Sequence, residues 1–147
     1  MTIEEMNLEP TAKNAAKILQ SKHPTIEFTS GRRGAFQQAH AMARNVVLNR
    51  HWIGQTYIAG AKLQQWVDQH PGAKTVDEVT AGLEQVMKAM PQEELVKISK
   101  HLTGRAWDVR PVIANAAAIK ADILSLPGLH KFLDHEGGLA RWHAQFQ

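Results

Sequence analysis

Two histidines and one aspartate, far apart along the chain, set the tightest constraint on its fold. Residues 99–108 read Ser-Lys-His-Leu-Thr-Gly-Arg-Ala-Trp-Asp, which places His101 and Asp108 seven residues apart. His143 follows 35 residues after Asp108, within Arg-Trp-His-Ala-Gln-Phe. Two imidazoles and a carboxylate suit a catalytic zinc, which takes three protein ligands and keeps one position for water. The three can meet only if the last segment returns beside residues 106–109. Ala106-Trp107-Asp108-Val109 alternates, with Trp107 and Val109 on one face and Ala106 and Asp108 on the other. That pattern predicts a strand. A final strand over Arg141–Phe146, paired next to it, brings His143 to the same site.

The rest of the sequence is mostly helical in pattern. Apolar spacing predicts a helix over Ile3–Leu19, stopped near Lys22-His23-Pro24. Ile26-Glu27-Phe28 reads as a short strand and Thr29-Ser30-Gly31 as a turn. Helices are predicted over Ala35–Leu48 and Tyr57–Gln69, the latter ended by His70-Pro71-Gly72. Thr75 with Glu78 three residues later is a capping box, opening a helix to about Met90. Further helices are predicted over Gln92–Lys97 and Val112–Leu126, a helical turn over Leu129–Asp134 and a turn at Glu136-Gly137-Gly138. Three short strands among several helices make an α+β chain.

The bulk properties remove several classes. A chain of 147 residues with 44% hydrophobic and 21% charged residues can build a core, which excludes disordered and collagen-like classes. With no cysteine, any metal site must use nitrogen and oxygen ligands. The longest apolar stretch, Val112–Leu126, is interrupted by Asn115, Lys120 and Asp122, short of the ~20 residues a membrane helix needs. The start, Met-Thr-Ile-Glu-Glu-Met, lacks the apolar run of a secretory signal, so a cytoplasmic location is expected. The formal charge of +3 suits an anionic partner such as a cell wall or a lipid surface. Scattered basic residues and no helix-turn-helix or zinc-finger pattern argue against nucleic acid.

The string Ser99-x-His101-x-x-Gly104-x-Ala106-x-Asp108 resembles the signature of the zinc D-alanyl-D-alanine carboxypeptidases and related phage endolysin peptidases. Trp142-His143 matches that family's late Trp-His, and Ser30-Gly31-Arg32-Arg33 matches its upstream Ser-Gly-x-Arg. The resemblance implies a small antiparallel sheet with helices around it, and cleavage of peptide bonds in the peptidoglycan stem. It implies His101, Asp108 and His143 as zinc ligands and Arg33 as the group binding a substrate carboxylate or carbonyl. Ser99 would support a ligand or touch substrate. The expected protein is a monomeric, single-domain endolysin over residues 1–147, with no separate wall-binding domain. It would reach the wall when the host cell lyses.

The chain departs from the family in one place. The family puts an acidic general base three residues before the last His, where this chain has Ala140. Glu136 is the candidate base, since a base needs hydrogen-bond reach of the attacking water. Asp134 and His135 stand in reserve. His135-Glu136 does not begin a His-Glu-x-x-His motif, because position 139 is Leu. His40 and His51 near Arg44 read as solvated helix residues, Trp66 and Trp107 as core, and Trp142, beside a ligand, as a substrate contact. Residues 51–94 read as a helical insertion that completes the core. The rival enzyme is a D-alanyl-D-alanine carboxypeptidase or dipeptidase. The rival from another class is a basic helical binding protein without catalytic activity.

Overall fold

A computed structural model describes residues 1–136 and 139–147, the Glu136 side chain excepted. The elements run α1 (Pro10–Lys22), β1 (Phe28–Ser30), α2 (Ala35–Val46), α3 (Trp52–Thr56), α4 (Ala61–Gln69), α5 (Val76–Lys88) and α6 (Gln92–Ile98). A 3₁₀ turn (Lys100–Thr103) follows, then β2 (Ala106–Val109), α7 (Ala116–Leu124), β3 (Leu129–Glu136) and β4 (Leu139–Phe146). The strands form one antiparallel sheet in the order β1-β2-β4-β3. The chain is α+β, as the sequence predicts.

It divides into two units, Met1–Arg32 with Thr103–Gln147, and Arg33–Leu102. The first holds the sheet, α1 and α7. One face of β2 and β4, carrying Trp107, Val109, Trp142, Ala144 and Phe146, is buried with Ala12, Ala15, Ala16 and Leu19 of α1 and Ile119 and Ile123 of α7. Trp107 anchors this core. Its indole N–H donates to the Ala12 carbonyl at 3.1 Å, and its ring meets Phe28 edge-on at 5.3 Å. The second unit is helical, with its own core of Ala39, Met42, Ala43, Leu63, Val67, Leu83 and Met87 among others. The Thr75 hydroxyl accepts from the Glu78 N–H at 3.1 Å, so Thr75 caps α5 as predicted, while the Glu78 carboxylate accepts from that hydroxyl at 2.9 Å rather than from the Thr75 N–H of a full capping box. A side chain at Gly82 would collide with the Trp66 ring, which lies directly on that helix.

Several boundaries differ from the sequence reading, each for a local reason. Residues 129–134 form a strand, not a helical turn. Leu129, Phe132 and Leu133 have helix-like spacing, but the register of β3 against β4 shifts between Leu129 and Lys131. Such a bulge lets Leu129 and Phe132, three apart, both pack on the core. The sheet therefore has four strands among the described residues rather than three. The first strand is Phe28–Ser30, and α1 starts at Pro10 because Asn7 takes a left-handed φ of 48°. Likewise, Asn115 at φ 59° delays α7 to Ala116. The helix predicted over Tyr57–Gln69 begins only at Ala61, preceded by the separate short α3. The turn expected at Gly137-Gly138 lies outside the described residues.

Trp107→Ala removes the largest fully buried side chain and strands the Ala12 carbonyl. It is expected to destabilise the sheet unit by about 3–5 kcal/mol, read from urea unfolding.

Candidate metal centre

The site begins with strand parity. With Trp107, Val109, Trp142, Ala144 and Phe146 committed to the core face, the period of two sends Asp108, His143 and Gln145 to the other face. The β2–β4 register pairs Asp108 directly with His143. The outcome is a contact between the two functional groups, His143 Nδ1 lying 2.7 Å from Asp108 Oδ1. His143 is 6% exposed, so this polar pair is made in a largely dry setting. Ala106, fully buried beside it, is paired with Gln145 across the ladder.

His101 arrives on the 3₁₀ turn, within which the division between the two units falls. Backbone contacts fix it on both sides. Its N–H donates to Ser99 Oγ at 3.2 Å, and its carbonyl accepts from the Arg33 N–H at 2.8 Å. His101, Asp108 and His143 each offer one ligand atom, and these atoms all lie within 4.8 Å of one another. Two buried imidazoles and a half-buried carboxylate could hold a metal ion. The donor set, nitrogen and oxygen with no thiolate, fits zinc in a three-ligand site.

Gly104 links the turn to β2 at φ 73°, a left-handed conformation that suits glycine. A Cβ there would stand 2.6 Å from the Arg32 guanidinium. Arg32 in turn donates to the Asn7 carbonyl and to Glu9 Oε1, both at 2.8 Å, while the Glu9 N–H donates to the Gly104 carbonyl at 2.9 Å. Gly31 is pinned just as closely, since a side chain there would collide with Met6. The Ser-Gly-Arg-Arg motif therefore splits into a structural arginine, Arg32, and a second one, Arg33. Arg33 is half-buried, and its Nη1 donates to Oε1 of the buried Gln38 at 3.4 Å.

The other predicted site residues fall as follows. Ser99 supports the His101 backbone. Trp142, adjacent to His143, turns its ring to the opposite face, 3% exposed, with Lys120 Nζ 5.5 Å from its ring centre, and it also lines the groove beside Asp108. The Glu136 side chain lies outside the described residues, and the backbone of Glu136 pairs with Leu139 at the end of the hairpin. Asp134 accepts from His135 at 3.1 Å and Lys120 at 3.3 Å, and these bonds, the His135 one foremost, hold its carboxyl below the usual carboxylate range. That makes it a poorer proton acceptor than an unpaired carboxylate. His40 and His51 sit on α2 and before α3, in no ligand cluster among the described residues. Sequence reasoning missed Gln145, whose Nε2 stands 3.0 Å from His143 Nε2. It also missed a groove of about 420 Å³ beside Asp108, lined by Thr29, Arg110, Pro111, Ala140 and Arg141 among others.

No protein-family model matches this sequence, and no curated protein or solved structure matches it.

Two outcomes are expected of this geometry. Zinc added to metal-free protein should bind in one-to-one ratio by calorimetry and raise the melting temperature, a hundredfold excess over Kd adding about 2.7 kcal/mol. His101→Ala, Asp108→Ala and His143→Ala should each abolish that gain. Gly104→Ala should cost about 1–2 kcal/mol through its backbone angle alone, measured by denaturant unfolding, and should weaken zinc binding through the displaced Arg32.

Proposed function

We propose that this chain is a zinc metallopeptidase that hydrolyses peptide bonds in the peptidoglycan stem, acting as an endolysin during host-cell lysis. The observation that carries this reading is the convergence of His101, Asp108 and His143, three residues from two distant parts of the sequence. The order of the Ser-Gly-x-Arg, Ser-x-His-x6-Asp and Trp-His motifs adds the substrate class. It does so through their resemblance to the peptidoglycan peptidases.

When bound, zinc would lower the pKa of a water toward about 7 and polarise the scissile carbonyl. The chain's own groups do the rest. Glu136 takes the proton of the attacking water and passes it to the departing amine as the carbon–nitrogen bond breaks. Arg33 grips a carboxylate or carbonyl of the substrate, which a guanidinium fork matches in shape. Its backbone bond to His101 holds the substrate clamp and a ligand in one frame. The groove beside Asp108 offers room for the peptide, and Arg110 and Arg141 supply cations for the carboxylates of a stem peptide.

Digestion of purified sacculi by the zinc-loaded protein, with mass spectrometry of the new amino and carboxyl termini, tests the reading. New termini within the stem are expected, and their position separates an endopeptidase from a carboxypeptidase. A zinc-loaded protein that releases none overturns the assignment. Glu136→Gln should keep zinc and lose about 10²–10⁴-fold in rate. Full activity in that variant removes Glu136 from the role of base.

A further inference from the structure

We propose that Gln145 is a positioning residue that sets which nitrogen of His143 carries the proton. In the metal-free chain its amide donates to Nε2, and when Nδ1 takes the metal its rotated amide accepts from Nε2–H. This inference rests on the metal-centre reading above.

The argument starts from the two ring nitrogens. Nδ1 lies 2.7 Å from Asp108 Oδ1, and Nε2 lies 3.0 Å from Gln145 Nε2. Both contacts fit one neutral tautomer, in which Nδ1–H donates to the carboxylate and bare Nε2 accepts from the amide. Nδ1 is the nitrogen on the side of Asp108, so a metal shared by these two residues takes Nδ1. Its proton must then leave, and the neutral ring keeps its proton on Nε2 instead. His143 is buried, so that new N–H needs an acceptor.

A carboxamide can meet both demands. It carries a donor and an acceptor of nearly equal size, and half a turn of the group exchanges them. A carboxylate could only accept, and an aliphatic chain could do neither. The strand positions Gln145 for this, two residues after His143 on the same face. Across the ladder its partner is Ala106, whose methyl group leaves space for the amide to lie along the strand toward the imidazole. A metal-bound histidine usually has its second nitrogen held by such a neighbour, and loss of that neighbour typically costs 10–100-fold in metal affinity.

The test compares the full-length wild type with Gln145→Ala and Gln145→Glu. Zinc affinity is read by competition with a chromophoric chelator, and the His143 tautomer by two-bond proton–nitrogen correlation spectra. Gln145→Ala should bind zinc about 10–100-fold more weakly. Gln145→Glu, which keeps an acceptor, should restore binding to within a few-fold of wild type. Wild-type spectra should show the proton on Nδ1 without zinc and on Nε2 with it. Wild-type affinity in Gln145→Ala, or a proton that stays on Nδ1 in the zinc-loaded protein, overturns the proposal. A wild type that takes up no zinc overturns the metal centre itself. In that event the metal-free spectra still decide the role of Gln145. Gln145→Glu should protonate Nε2 where the wild type leaves it bare, and matching spectra overturn the role.

Discussion

The pairing of β2 with β4 is the constraint on which the sheet unit and the candidate site both depend. Its register sets Asp108 against His143, with Trp107 against Ala144 and Val109 against Trp142 on either side. A slip by one residue would exchange the faces of every side chain on the strand. In β4 it would drive the Trp142 and Phe146 rings into water and His143 and Gln145 into the core. The apolar face thus holds the polar face in place, and the free energy of burying Trp107 and Phe146 also orients an imidazole and a carboxylate. No separate device is needed to align those two groups.

The third candidate ligand is held by different means. His101 is buried on a short 3₁₀ turn, and hydrogen bonds on both sides fix its main chain. Ser99 takes its N–H, Arg33 takes its carbonyl, and Gly104 bends the chain into β2 at an angle most residues avoid. Arg32 then lies over that glycine and ties it to Glu9 and Asn7. The conspicuous small and charged residues of the motif thereby acquire separate tasks. Some shape the main chain, and Arg33, whose Nη1 donates to Gln38, is the one proposed to meet substrate.

Much of this was legible in the sequence, and the failures have physical causes. The α+β class, the strand at 106–109 and the capped start of α5 followed from alternation and capping chemistry. The meeting of His101, Asp108 and His143 followed from the motif and the expectation of a returning strand. The third element of the sheet, β3, was hidden because a bulge gives a strand the apolar spacing of a helix. Trp142 is instructive in another way. Adjacent residues on a strand face opposite sides, so its neighbour His143 at the site means an indole in the core, and strand parity alone carried that information. Gln145 was invisible because a polar residue two positions after a ligand means nothing until the register shows what stands opposite. Glu136 remains a reading of sequence alone.

The helical unit, residues 33–102, enters the chain between β1 and β2, which are antiparallel neighbours. Such neighbours are ordinarily joined by two to five residues. To the sheet, then, about seventy residues of helix are a single overgrown hairpin connection. Its first residue, Arg33, and its penultimate one, His101, are already hydrogen-bonded to each other, so the excursion begins and ends at one point. The entropy of closing such a loop rises only with the logarithm of its length. The traffic through that neck can therefore be lengthened, shortened or exchanged without resetting how Ser30 meets Asp108. The pairing of β1 with β2 is indifferent to what that excursion contains, so long as its two ends, which carry Arg33 and His101, stay as they are.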